Sequence, residues 1–141
     1  MNRHFKYLFS ILMLLPILLS AQIQDRYLAS TVEKYFARNR TAPTIISAEV
    51  VDDIMYGRTL KIRILGHRNS ENEDLGFAFG AAAAVANQAT NQLDALWIEM
   101  DVRYKAVETT VAVAPALCSI EAIVHKTRSF GAWWEDCLEI L

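Results

Sequence analysis

Past residue 21 the chain predicts an α+β fold. The expected architecture is a two-layer sandwich: a four-stranded, mainly antiparallel sheet with helices on one face. The expected order is αββαββ, followed by one or two C-terminal helices. Three observations predict it. Two pairs of segments alternate apolar and polar residues as half-buried strands do. A helical stretch precedes each pair, and the second stretch is apolar around its whole circumference. A third set of apolar residues recurs at helical spacing near the C-terminus.

The first 21 residues are set aside as a secretory leader. Arg3 and Lys6 form a positive start, residues 8–19 an apolar core broken by Ser10 and Pro16, and Ser20-Ala21 a small-residue cleavage site. The core is shorter than the ~20 residues a spanning helix needs, and no stop-transfer pattern follows. Cleavage after Ala21 leaves residues 22–141 as one small α+β domain, secreted or periplasmic, with no stable membrane span. The leader holds two of the 14 Lys/Arg and none of the 16 Asp/Glu. The remainder therefore has 12 basic and 16 acidic residues, a formal charge of −4. Without a basic cluster, nucleic acid is not an expected partner.

Residues 23–40 read as an amphipathic helix with Leu28, Val32, Tyr35 and Phe36 on its apolar stripe. Pro43 ends it, because the residue before a proline is driven out of helical geometry. Residues 44–51 are rich in β-branched side chains, and 57–65 alternate Leu60, Ile62 and Ile64 with Thr59, Lys61 and Arg63. Gly57 closes the link between them, which reads as a hairpin.

Ser70-x-x-Glu73 has the form of a capping box, and Glu71, Glu73 and Asp74 suit a helix N-terminus. The helix it opens, over 71–92, contains Phe77-Ala-Phe-Gly-Ala-Ala-Ala-Ala-Val-Ala86. A segment apolar all round is normally buried, so this is the expected central helix. Residues 93–104 and 105–114 form the second strand pair. Leu96, Ile98, Met100 and Val102 alternate with Trp97, Glu99, Asp101 and Arg103, while Val107, Thr109, Val111 and Val113 make one face of the next strand. Residues 116–126 are compatible with a helix. Phe130, Trp133, Trp134, Cys137, Leu138 and Leu141 fit a last helix capped by Ser129.

Two cysteines, Cys118 and Cys137, lie in the exported part. An oxidising compartment predicts a disulfide between them.

Motifs for catalysis, metal or cofactor binding are absent. The glycines are scattered rather than grouped into a phosphate loop, and no zinc or calcium spacing occurs. Ser119, Glu121 and His125 supply the residue types of a hydrolase but lack a nucleophile elbow. The polar sheet face is expected to carry Lys61, Arg63, Trp97, Glu99, Asp101, Arg103 and Glu108. Arg63, Trp97 and Arg103 are the candidate partner-binding residues, because Trp and Arg anchor interfaces. The reading that follows is an exported, non-catalytic protein that binds another protein, as an envelope factor, inhibitor or immunity-type protein does. A binder of small molecules or lipids and a small secreted hydrolase are the alternatives.

Overall fold

The computed structural model describes residues 22–141; the secretory leader expected over residues 1–21 lies outside the described residues. Ile23 pairs with Ala89 in an isolated parallel bridge, which fastens the first described residues beside the end of the central helix. Helix α1 (Asp25–Ala37) buries Leu28, Val32 and Phe36, and the hairpin strands β1 (Thr44–Asp53) and β2 (Gly57–Gly66) follow. Helix α2 (Glu71–Asn87) leads to β3 (Ala95–Arg103) and β4 (Val107–Pro115). One α-helical turn, α3 (Ala116–Ser119), runs into a π-helical turn (Ile120–Val124). Helix α4 (Phe130–Asp136) and a two-residue strand β5 (Glu139–Ile140) end the chain.

The α+β class and the αββαββ order stand, with two refinements. The sheet has five strands in the order β1-β2-β3-β4-β5. It is mixed: β2 and β3 run parallel, and the other pairs antiparallel. The parallel pair follows from α2. A helical crossover returns the chain to the end where β2 began, so β3 must run in the same direction.

Alternation places Leu60, Ile62 and Ile64 of β2 and Leu96, Ile98 and Met100 of β3 on one buried face. The helices pack on that face. Ala78, Ala81, Ala82 and Ala83 of α2 are fully buried there, and their small side chains let the helix lie close to the strands. Phe79 and Trp133 fill the space between α2 and α4, their rings 5.2 Å apart and edge-on.

The face of β4 departs from expectation. Its pairing sets Ala112 against Ile98 and Ala114 against Leu96, so the alanines lie under the helices and Val111 and Val113 turn to the other face. The helices approach closely here, which small side chains permit and valines would obstruct. The same register sets Glu108 against Val102, and it leaves the polar face assigned to it.

Two local expectations also change. The Ser70 hydroxyl does not cap the helix. It donates to Asp74 Oδ2, which also accepts the His67 backbone N–H, so Asp74 ties down the loop before α2. The last helix stops at Asp136, and the tail pairs with β4 instead of continuing the apolar helical stripe. Cys137, at the C-cap, is bonded to Cys118, with their Cα atoms 6.5 Å apart. That bond holds the turn from which the tail reaches the sheet edge. Ser129 caps α4 as expected, accepting the Ala132 N–H at 3.1 Å.

Candidate functional site

The sheet face away from the helices is built by the odd-numbered residues of β2, β3 and β4. Pairing aligns Glu49, Lys61, Trp97, Val113 and Glu139 in one row across all five strands. The next row holds Ser47, Arg63, Glu99 and Val111, and a third holds Leu65, Asp101 and Thr109. The face is therefore amphipathic, with two valines and a tryptophan among charged side chains.

Trp97 is half-buried at its centre. Three neighbours hold it. Its indole N–H donates to Glu99 Oε1 at 3.1 Å, Tyr56 meets it edge-on at 5.6 Å, and the Lys61 ammonium lies 4.4 Å above its ring. Lys61 also bonds Asp53, whose other carboxylate oxygen accepts the Met55 and Tyr56 backbone N–H groups at the hairpin turn. These two backbone bonds, then Lys61, hold the Asp53 carboxyl below its ordinary range. Gly57 makes the turn possible. Its φ is +75°, and a Cβ there would strike the Asp94 carboxylate.

Arg63 is exposed and donates from Nε and Nη2 to Asp101 Oδ2, at 3.1 and 2.9 Å. Thr109 donates to the other Asp101 oxygen at 2.8 Å. The Thr109 bond first, then the bonds and charge of Arg63 and the nearby charge of Arg103, lower the Asp101 pKa. The three predicted partner residues thus share a face but not a single spot. Arg63 is diagonal to Trp97 across the β2–β3 pair. Arg103 is six residues farther along β3, roughly 20 Å from Trp97 at the usual strand rise. It groups with Asp101 instead.

Tyr56 and Val111 belong to this surface and Val113 lies buried just beneath it, a placement the sequence alone does not give. Tyr56 carried a signal in its place just before the turn glycine. The valines carried none, because alternation alone does not say which face of β4 is covered.

Ser119, Glu121 and His125 are not brought together. The Ser119 hydroxyl is fully buried; it donates to the Pro115 carbonyl and accepts the Trp133 indole N–H, both at 2.9 Å. Glu121 faces Arg128 at 3.6 Å, and His125 is exposed. His67, the other histidine of the described residues, stands 3.5 Å from Asp74. Among the described residues no group of three or more His, Cys, Asp or Glu side chains is placed to hold a metal ion. No helix among them is long and apolar enough to cross a membrane. Comparisons with protein-family models, curated proteins and solved structures give no match.

Proposed function

We propose that this is an exported protein that binds another protein through its open sheet face, centred on Trp97, without chemistry of its own. In this reading the leader is removed after Ala21 and residues 22–141 act as one disulfide-bonded domain in the periplasm or outside the cell. Trp97 carries the proposal. It is a large aromatic side chain on the uncovered face, with half-buried Val111 on the neighbouring strand, buried Val113 beneath, and a border of ionised groups. Interface centres have this composition: an aromatic anchor, apolar neighbours and a polar rim. The committed hydroxyl of Ser119 argues against the hydrolase alternative at that residue. The close packing of α2 on the sheet argues against a large ligand cavity between the layers.

The test is affinity capture from the native envelope fraction with the tagged chain, its mature N-terminus sequenced in parallel. The expected N-terminus is Gln22. A partner captured by the natural chain should be lost with Trp97→Ala, an effect of ~2 kcal/mol or more on binding. It should be kept with Trp134→Ala, which changes an exposed tryptophan on α4. Equal capture by both variants would sink the assignment of the face.

A further inference from the structure

A groove of about 290 Å³ opens beside Trp97, between the β1–β2 turn and the C-terminal tail. Met55 and Tyr56 form one wall, Val113 and Pro115 lie along it, and Glu139 stands on the tail side with Asp94. Asp94 and Glu139 are the only ionisable acids in its lining, and it contains no cation. Neither makes a salt bridge among the described residues. The Asp94 carboxylate accepts one backbone N–H, from Arg58 at 2.8 Å. The groove is continuous with the proposed binding face, because Glu139 and Val113 share the row of Trp97 and Tyr56 packs on its ring.

From this we infer that the groove receives an arginine side chain of the partner protein. The inference rests on the reading of the open face as a protein-binding surface and adds the chemistry of the partner's anchor. Four features support arginine. The apolar wall suits the methylene stem of a long basic side chain. Two carboxylates that make no salt bridge among the described residues supply the complementary charge for its head. Beside exposed Met55, the open part of the half-buried Tyr56 ring offers a surface on which a planar guanidinium stacks, as ammonium-bearing Lys61 already does on Trp97. Lys61 itself is engaged by Asp53 and Trp97, so it does not compete for Asp94 or Glu139. The far wall includes Cys137, and its disulfide holds the tail that presents Glu139.

The probe is a fluorescein-labelled tetra-arginine peptide, titrated with the oxidised protein and followed by anisotropy at low salt. Tetra-glutamate is the control. Tetra-arginine should bind and tetra-glutamate should not. The double variant Asp94→Asn, Glu139→Gln should weaken tetra-arginine binding by about tenfold or more, while Glu33→Gln with Glu108→Gln, which removes the same charge elsewhere, should leave it within about twofold. Thermal melts confirm that both doubles are folded, and Glu139→Gln alone serves if the Asp94 change unfolds the turn. Equal weakening by the two doubles means attraction to general acidity and overturns the inference, as does absence of tetra-arginine binding. Such a failure leaves the Trp97 capture result standing, since capture reads partner loss whichever side chain the partner brings.

Discussion

Trp133 and Trp97 occupy opposite sides of the same sheet, and the same side chain is held there by different means. Trp133 is fully buried under the helices, edge-on to Phe79, with its N–H passed to Ser119 and from Ser119 to the Pro115 carbonyl. Everything around it is apolar or hydrogen-bonded within the chain. Trp97 lies on the open face among Lys61, Glu99 and Tyr56, with part of its ring in water. The covered face is stabilised by area removed from water, which has no preferred partner outside the chain. The open face is arranged by ion pairs and aromatic edges that water and other molecules can reach. A tryptophan in the first setting maintains the fold; in the second it is free to contribute to recognition.

The largest expected effect separates the two. Trp133→Ala should destabilise the protein by about 4 kcal/mol, within the range for deleting a large aromatic from a core, and it also removes the donor to Ser119. Trp97→Ala should cost roughly 1 to 2 kcal/mol, since only the buried part of the ring and one edge contact are lost. Urea unfolding of both variants reads the difference directly. Equal costs would mean that the open face is as much core as the covered one.

Removing the disulfide comes next. The Cys118–Cys137 bond closes a separation of 19 residues, for which loop-closure entropy gives about 3 kcal/mol. Its loss should act on the covered face through α4 and Trp133, and on the edge of the open face through β5. Exposed Ile140 and Leu141 add little burial of their own, and only two residue pairs join β5 to β4. Hydrogen exchange on Cys118→Ser, Cys137→Ser should therefore show the Leu141 amide, bonded to the Val111 carbonyl, opening well before those of β2 and β3. Retained protection at Leu141 would show that the tail stays in place without the bridge.

The covered face was largely legible in the sequence. Alternation in β2 and β3 located Leu60, Ile62, Ile64, Leu96, Ile98 and Met100, and the all-round apolar run marked α2 as buried. The disulfide was expected from the cysteine number together with the oxidising compartment that the leader reading implies. What escaped was set by contacts distant in the chain. Ala112 and Ala114 face the helices because β3 fixes the register, which periodicity in β4 alone does not express. The tail leaves its helical stripe because β4 offers an unpaired edge and Cys137 is held at the turn. On the open face, sequence placed Arg63, Trp97 and Arg103 on one surface. It could not show that Arg63 and Arg103 gather around Asp101, nor that Tyr56 closes on Trp97, because both depend on cross-strand neighbours.

The smallest effect is an acid sensitivity belonging to the open face. Arg63 and Thr109 hold the Asp101 carboxylate ionised, so its native pKa is lower than that of an unfolded aspartate, about 4. A group shifted down contributes its stability in full above the unfolded value and loses it as pH falls through the lowered native value. The natural chain should therefore exceed Asp101→Asn in stability at pH 7, and the two should converge as pH drops below about 4. The amide oxygen still accepts from Thr109, while its NH2 replaces the oxygen that accepts from Arg63, so the difference reports the charge together with the two Arg63 bonds it holds. Because Arg63 is exposed, the advantage should be under about 1 kcal/mol and should shrink with added salt. The Trp133→Ala deficit involves no charge and should stay nearly constant over the same pH range. Denaturant midpoints of the three proteins from pH 2 to 7 make the comparison. A deficit in Asp101→Asn that persists unchanged at the lowest pH would mean that packing, not ionisation, is what Asp101 contributes.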